Sequence, residues 1–245
     1  MTHLTLSILL TVLTQIGGIA WLASRLFQRK ALAFCTLYIA LSLSAGFIAP
    51  VFGRTALPCF SDAPAKMHSV LYCAMNRQYV TPALKTTLHD VGLHMAQTHP
   101  TTRLRVLDAN FPFINGFPLL PHLSHNDGRK VDLALLYEDA QGKPTHKTSS
   151  PLGYFAFEQG PTQCPKRWAT LRWDMAWLQP LWKDLSLDED RTRELIRQLV
   201  QLDNIDKVFL EPHLPEKLGL SFGPLRFQGC RAARHDDHIH VQLKM

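Results

Sequence analysis

Two long apolar stretches open the chain, and neither contains a charged side chain; they cover residues 4–24 and 31–53. Each is longer than the roughly 20 residues that a helix needs to cross the hydrocarbon core of a bilayer. We therefore predict two transmembrane helices and a membrane anchor over residues 1–56, with a linker over residues 53–66. A cleaved signal peptide is the alternative, but a basic segment before the first stretch is missing and a second apolar stretch follows directly.

Basic residues between the two stretches predict the orientation of the anchor. Arg25, Arg29 and Lys30 lie in the connector, whereas the tail before residue 4 contains no Lys or Arg. Because cytoplasmic loops are enriched in Lys and Arg, we expect the connector in the cytoplasm. The N-terminus and everything after residue 54 then lie on the other side of the membrane.

The rest of the chain, residues 57–245, has the hydrophobic patterns of one mixed domain. Apolar residues recur at helical spacing over residues 81–100, and a second helix is predicted over 186–202, where Ser186 and Glu189 have the spacing of a capping box. Strands are predicted at residues 103–109, 130–138, 206–212 and 238–244. Because helices and strands do not alternate regularly, the predicted fold class is α+β.

The charge of the chain limits its partners only weakly. The formal net charge is +6, and the Lys and Arg residues are scattered rather than grouped in long runs. Such a chain fits an anionic cell-wall polymer or a membrane surface as well as a nucleic acid. A metal-dependent nuclease needs a basic surface for phosphates, which the scattered charges do not clearly provide, so no nucleic-acid partner is expected.

The cysteines favour an oxidising compartment. Cys35 lies in the second apolar stretch, and four others, an even number, lie in the domain. We expect the bridges Cys59–Cys73 and Cys164–Cys230, one of three possible pairings, with four free buried thiols as the alternative. The chain has no C-x-x-C pair, which disfavours a zinc ribbon built on cysteine.

Histidines and aspartates are concentrated at the end of the chain, in the segment RHDDHIHVQ (residues 234–242). Side chains alternate between the two faces of a strand. Ile239, Val241 and Leu243 are expected to face the core, which leaves His238 and His240 together on the open face. A solvated polar strand is the alternative.

A second group of polar residues lies in HLSHNDGRKVDLALL (residues 122–136), which predicts a loop that leads into a strand. Val131 and Leu133 are expected to face the core, so Asp132 faces the open side. Gly128 suits the tight turn that returns His125 over that carboxylate. Taken alone, this segment is an ordinary loop; taken with the C-terminal strand, it predicts a metal site.

Two His and one Asp, with a fourth position for water, are typical of a catalytic zinc site. Zinc lowers the pKa of a bound water and polarises a carbonyl oxygen. Asp237 and His238 are both candidates for the general base, and the spacing does not decide between them.

These two motifs resemble those of zinc peptidases that cut bacterial cell-wall peptides, and most closely the penicillin-insensitive murein endopeptidase family. The likeness covers about residues 100–245. It implies a zinc-peptidase domain in which a small antiparallel sheet carries the metal site. It further implies zinc ligands at His125, Asp132 and His240, with His122 as an extra ligand or a neighbour of the ligands. His238, Asp237 and His235 then supply the catalytic groups that line the cleft.

The chain also departs from that family. Leu123 stands where the most similar relatives carry Ser, and the membrane anchor is not part of the family pattern. Asp174 is a possible further acidic site residue, although a surface aspartate on a helix is favoured. Core packing is favoured over a site role for Tyr154 and for the tryptophans, which are Trp168, Trp173, Trp177 and Trp182.

The resemblance implies a membrane-anchored murein endopeptidase that hydrolyses amide bonds in peptidoglycan cross-links. Its expected location is the inner (cytoplasmic) membrane, with the catalytic domain facing the periplasm. A D-alanyl-D-alanine carboxypeptidase is the nearest alternative; it needs an arginine for the substrate carboxylate, for which Arg103 and Arg105 are candidates. A zinc-binding cell-wall scaffold protein without turnover is the other alternative.

Overall fold

The computed structural model describes residues 2–165, 170–173 and 175–245 and shows a mixed α+β chain, as predicted. The helices are α1 (His3–Thr14), α2 (Gly17–Ser24), α3 (Lys30–Ile48), α4 (Val70–Ala74), α5 (Pro82–Thr98), α6 (Glu189–Val200) and α7 (His213–Lys217). The strands are β1 (Thr55–Ala56), β2 (Ala65–Met67), β3 (Tyr79–Val80), β4 (Leu104–Asp108), β5 (Lys130–Ala134), β6 (Tyr137–Glu138), β7 (Pro144–Thr145), β8 (Ser186–Leu187), β9 (Ile205–Phe209), β10 (Leu225–Arg226) and β11 (His238–Leu243).

A six-stranded sheet with the order β10-β9-β11-β5-β4-β2 forms the centre of the domain. The four central strands are antiparallel, whereas β10 and β2 at the two edges pair in parallel with their neighbours. The prediction of a small antiparallel sheet is therefore right for the centre and wrong for the edges. The edge strands were missed because β10 has only two residues and β2 overlaps the end of the segment expected to be a linker.

The predicted core faces of the two central strands are confirmed. Val131 and Leu133 of β5 and Ile239 and Val241 of β11 are fully buried in the main core. Helix α5 buries apolar side chains on the same core, as its spacing predicted. The opposite face of β5 and β11 is thereby left for polar side chains.

Helix α6 was predicted correctly, but its cap was not. The residue that caps it is Asp188, whose carboxylate accepts a hydrogen bond from Arg191 N at 3.0 Å. Ser186 lies instead in β8, where it pairs with Glu138 of β6. The helix begins at Glu189, so Asp188 occupies the cap position, where its carboxylate also pairs with the buried Arg191 guanidinium.

The first apolar stretch is not one helix, so the prediction of a transmembrane helix over residues 4–24 is wrong. It forms α1 and α2, of 12 and 8 residues, which are about 18 and 12 Å long at 1.5 Å per residue. The chain reverses at Gln15, where φ is 68°. The two helices are antiparallel neighbours, since the rings of His3 and Trp21 are 5.9 Å apart and the Ser7 hydroxyl donates to Gly18 O at 3.2 Å.

Small residues explain this helical hairpin. Gly17 N donates to the Thr14 hydroxyl at 2.8 Å, which replaces a helical hydrogen bond at the turn. A Cβ atom on Gly18 would overlap the hydroxyl of Thr11 and the carbonyl of Ser7. The N-terminus therefore lies at the same end of the hairpin as the connector, not at the opposite end as predicted.

The second apolar stretch forms α3 and continues as a 3-10 turn, Ala49–Phe52. Over Lys30–Phe52 it is long and apolar enough to cross a membrane, with a mean hydropathy of 2.0 over an 18-residue window. Ala45 and Ala49 pack on the buried Tyr79 of the domain. Within the residues that the structure describes, this is the one segment that meets the length and composition of a span.

Residues 53–66, expected as a linker, are built into the domain. Strand β1 pairs with β3, and β2 adds an edge to the central sheet. The buried Arg54 guanidinium donates to Asn115 Oδ1 and to Asp127 O, each at 2.5 Å. This contact fixes the segment against the loop that carries His125.

Both predicted disulfides are confirmed. Cys59 is bonded to Cys73 and Cys164 to Cys230, across 14 and 66 residues of sequence. The remaining Cys35 is free and exposed on α3. Two bridges are consistent with an oxidising compartment.

Candidate metal site

Asp132 of β5 and His240 of β11 are direct partners across the two central strands. Both side chains are buried on the face opposite the core, and His240 Nδ1 lies 2.8 Å from Asp132 Oδ1. The alternation of residues along each strand produces this arrangement, because Leu133 and Val241 occupy the core face.

A turn in the preceding loop brings His125 to the same carboxylate. Gly128 has a φ of 77°, and its N–H donates to Asn110 Oδ1 at 2.9 Å. His125 Nδ1 donates to Ala109 O at 2.8 Å, so Nε2 is the nitrogen that faces the cluster. That Nε2 lies 3.2 Å from Asp132 Oδ1 and 3.1 Å from His240 Nδ1.

His122 reaches Asp132 from the other side of the carboxylate. Its Nδ1 lies 3.1 Å from Asp132 Oδ2. One ligand atom from each of His122, His125 and Asp132 lies within 4.8 Å of the others, so these three residues can hold a metal ion. The family resemblance implies a ligand set with His240 in place of His122. In the structure, all three histidines contact the Asp132 carboxylate.

The three residues expected to take part in catalysis lie beside this cluster. His238 Nδ1 contacts Asp237 Oδ1 at 2.5 Å, and its Nε2 lies 3.7 Å from Asp132 Oδ1. The other oxygen of Asp237 accepts a hydrogen bond from Phe155 N at 2.6 Å. The ring of His235 is 4.9 Å from that of His238. All seven predicted site residues are therefore brought together, six of them buried and His122 half-buried.

The electrostatics of the cluster favour bound positive charge. Burial raises the pKa of the Asp132 carboxyl, but the facing charges of His125 and His238 outweigh burial and hold that pKa well below its usual range. Burial lowers the pKa of His238, yet Asp132 and Asp237 overcome it and raise that pKa to about 9. The cluster thus attracts a cation, either a proton or a metal ion.

His240 and His235 behave differently. Burial lowers the pKa of His240 to about 4, against the opposing hydrogen bond to Asp132. Burial, followed by the charge of His238, lowers the pKa of His235 well below its usual value. Both imidazoles are therefore neutral at neutral pH, the form in which histidine binds a metal.

Two residues of the site were missed in the sequence, namely Asp108 and Arg77. The guanidinium of Arg77 holds both carboxylate oxygens of Asp108, with Nε at 2.8 Å from Oδ1. Asp108 Oδ2 in turn lies 3.1 Å from His122 Nδ1. Burial raises the pKa of Asp108, but the Arg77 charge outweighs burial and lowers it. This buried pair fixes the ring of His122.

A β-bulge explains why the sequence pattern did not predict Asp108 as a site residue. The register of β4 against β5 shifts between Val106 and Asp108, so that Val106 faces Leu133 in the core while Asp108 is the partner of Asp132. An extra residue of this kind re-aims the side chain that follows it. The one signal in the sequence is an aspartate that ends an apolar strand.

Tyr154 was expected to pack in the core, and it also contacts the cluster. Its hydroxyl donates to Asp132 Oδ2 at 2.7 Å, and its ring centroid is 4.9 Å from that of His122. Burial and the nearby carboxylate of Asp132 raise the pKa of this hydroxyl well above its usual value. Tyr154 therefore stays protonated as a hydrogen-bond donor.

Two cavities meet at the cluster, and His122 and His238 line both. The smaller, about 120 Å³, is also lined by the other histidines of the site. The larger, about 240 Å³, has a mostly apolar wall that includes Trp173. Trp177 is largely exposed, whereas Trp168 and Asp174 lie outside the described residues.

The arginines proposed to bind a substrate carboxylate do not line these cavities. Arg103 pairs with Asp62 at 3.7 Å, and Arg105 lies on β4, outside the lining of both cavities. The arginines at the larger cavity are Arg77 and Arg234. The positions of Arg103 and Arg105 therefore do not support the prediction that they bind a substrate carboxylate.

The donor set fits a zinc ion. Neutral imidazole nitrogens and one carboxylate are typical zinc ligands. The Nδ1 of His240 faces Asp132 and His125, whereas its Nε2 is buried without a hydrogen-bond partner. The bond from His125 to Ala109 O fixes the tautomer and the ring of a second ligand.

Neither a protein-family model nor a curated protein matches the chain.

Proposed function

We propose that the protein is a zinc-dependent peptidase, held at a membrane by its N-terminal helices, that hydrolyses amide bonds in the peptide cross-links of peptidoglycan. The observation that carries this proposal is the meeting of two distant motifs at one carboxylate. Residues separated by 108 positions, Asp132 and His240, are 2.8 Å apart, and His125 approaches both. The cleft beside them supplies space for a substrate.

When bound, zinc supplies Lewis acidity, which lowers the pKa of a water molecule and polarises an amide carbonyl. His125, Asp132 and His240 hold the ion, with His122 as a further ligand. The Arg77–Asp108 pair positions His122 by contacting Nδ1, the same nitrogen that faces Asp132. These contacts keep the donor atoms in place before a metal ion arrives.

His238 is the group that moves a proton in this proposal. Its Nδ1 is held by Asp237, so Nε2 faces the cluster and the larger cavity. Both oxygens of Asp237 are engaged, one by His238 and one by Phe155 N, which makes Asp237 a positioning residue rather than the base. The raised pKa of His238 equips it to donate a proton to the leaving amine.

The proposed location is the inner membrane, with the domain in the periplasm. Helix α3 has the length and composition of a membrane span, and the two disulfides fit an oxidising compartment. Arg25, Arg29 and Lys30, which lie between the end of α2 and the first residue of α3, favour a cytoplasmic position for that end. The re-entrant course of α1 and α2 then leaves the N-terminus on the cytoplasmic side.

The test is digestion of purified cross-linked muropeptides by the full chain in detergent, with products identified by mass. We expect dimers to be converted to monomers, and the conversion to be abolished by a chelator and by His240→Ala. His94→Ala is the matched control, because His94 lies on α5 and pairs there with Glu194.

The other outcomes separate the alternatives. Release of a single terminal alanine without conversion of dimers would assign the protein to the carboxypeptidases. Zinc binding without any product would favour the scaffold, and either result would contradict the endopeptidase proposal.

A further inference from the structure

The larger cavity beside the cluster has a mostly apolar wall, which suits a hydrocarbon group better than a charged one. Apolar side chains form most of its wall: Leu71, Met75, Leu152, Phe155, Phe157, Leu171 and Trp173. The charged groups that reach it are already neutralised by partners, which are Arg77 with Asp108, Arg234 with Asp236 and His238 with Asp237. An occupant therefore gains by burying apolar surface there and finds no unpaired charge among the residues that the structure describes.

One wall of this cavity is joined to the helix that has the composition of a membrane span. Leu71 and Met75 belong to α4 and the residue after it. The hydroxyl of Tyr38 on α3 donates to Ala74 O at 2.6 Å, and Asn76 Nδ2 donates to Tyr38 Oη at 3.1 Å. Asn76 also donates to the Ser42 hydroxyl at 3.3 Å.

These contacts lie well inside the span. Tyr38 is about 12 Å along α3 from Lys30 and about 21 Å from Phe52, at 1.5 Å per residue. If α3 crosses the bilayer upright, α4 is drawn below the membrane surface. If α3 is instead strongly tilted and lies in the interface between membrane and water, α4 lies in that interface beside it. Both orientations bring α4 into contact with lipid.

The outer surface of α4 suits such contact. Helix α4 has no charged residue, and Val70 and Leu71 are 55% and 48% exposed. The Cys59–Cys73 disulfide ties the neighbouring segment to α4, and Phe60 in that segment is 80% exposed. Leu71 thus belongs both to an exposed apolar surface beside α3 and to the cavity wall.

We propose that this cavity takes the hydrocarbon chain of a membrane-held amphiphile, which enters beside α4 and places its polar, amide-bearing part at His122 and His238. The inference rests on the proposed membrane location and adds lipid-linked peptides to the substrates of the same site. The cavity connects the two requirements, because Leu71 and the two histidines line the same cavity.

The experiment uses the full chain in nanodiscs of phosphatidylethanolamine and phosphatidylglycerol that contain a phosphatidylcholine with a diazirine on its acyl chain. After photolysis, labelled residues are identified by mass spectrometry. We expect label on α3 and also on cavity residues such as Met75, Phe157 and Trp173. Leu71→Asp should reduce the cavity label by about tenfold or more, given the cost of placing aspartate in lipid.

Leu93→Asp is the matched control, because Leu93 is a similarly exposed leucine, at 41%, on α5. It should leave the cavity label unchanged. Label on α3 without label in the cavity would overturn the inference and leave the membrane anchor intact. Absence of label from both would also contradict the anchor, whereas the peptidase activity is tested separately with soluble muropeptides.

Discussion

Asp108 Oδ2 lies 3.1 Å from His122 Nδ1, and Asp108 is held from behind by the buried guanidinium of Arg77. A carboxylate outside both candidate metal motifs thus orients a histidine inside one of them. Groups in this position commonly set the affinity of a metal site, because they fix the ring and the tautomer of the ligand.

We expect Asp108→Asn to weaken zinc binding by roughly 10–100-fold, the range usual for such supporting groups. It should also lower the free energy of unfolding by about 3–5 kcal/mol, because it leaves the Arg77 charge buried without its partner. Competition with a chromophoric chelator and denaturant unfolding measure the two effects. Asp190→Asn is the control, since the Asp190 side chain is 85% exposed and pairs with Arg193 at the surface. Equal behaviour of the two variants would refute the role of Asp108.

Removal of the Tyr154 hydroxyl isolates its contact with Asp132 Oδ2. Tyr154→Phe keeps the ring in place and should weaken zinc binding by about tenfold, with a loss of about 1 kcal/mol in the free energy of unfolding. Tyr72→Phe is the matched control, because its hydroxyl donates to Leu152 O at 2.7 Å instead of to the cluster. Unchanged zinc affinity in Tyr154→Phe would show that the contact does not support the ligand.

The hairpin of α1 and α2 can be tested with two glycines. Gly18→Leu should lower the free energy of unfolding by about 1–3 kcal/mol, because the new side chain overlaps Thr11 and Ser7. Gly46→Leu should instead be neutral or stabilising by about 1 kcal/mol, since nothing lies within 4 Å of its added Cβ and glycine is a poor helix former. Thermal unfolding in detergent measures both. Equal tolerance would favour a continuous first helix.

The two disulfides should differ in how much they stabilise the domain. In the chain-entropy view, the longer loop restricts the unfolded chain more, which gives about 4 kcal/mol for a separation of 66 and about 3 kcal/mol for 14. We therefore expect Cys164→Ala with Cys230→Ala to be more destabilising than Cys59→Ala with Cys73→Ala. Denaturant unfolding of the two double variants checks the order, and the reverse order would contradict the expectation.

The central site could be predicted because strand alternation and local turns determine it. The apolar residues of β5 and β11 show which side chains face the core, so Asp132, His238 and His240 were placed on one face correctly. Gly128 marked the turn that returns His125. These features depend on residues close together in the sequence.

Other features depend on contacts that no local pattern contains. The bulge before Asp108 arises from the pairing of β4 with β5, and Arg77 reaches that carboxylate from a distant segment. The first apolar stretch has the composition of a span, but Gly18 allows α1 and α2 to pack as a hairpin. Hydropathy alone does not distinguish one long helix from two short ones.

The most direct test of the proposed site is zinc binding by the purified full chain, measured as metal content and affinity. We expect one zinc ion per chain in the wild type and in His94→Ala. His125→Ala and His240→Ala should each lose more affinity than the roughly 10–100-fold expected for a supporting residue. Zinc bound equally by all four proteins, or by none of them, would contradict the assignment of His125, Asp132 and His240 as its ligands.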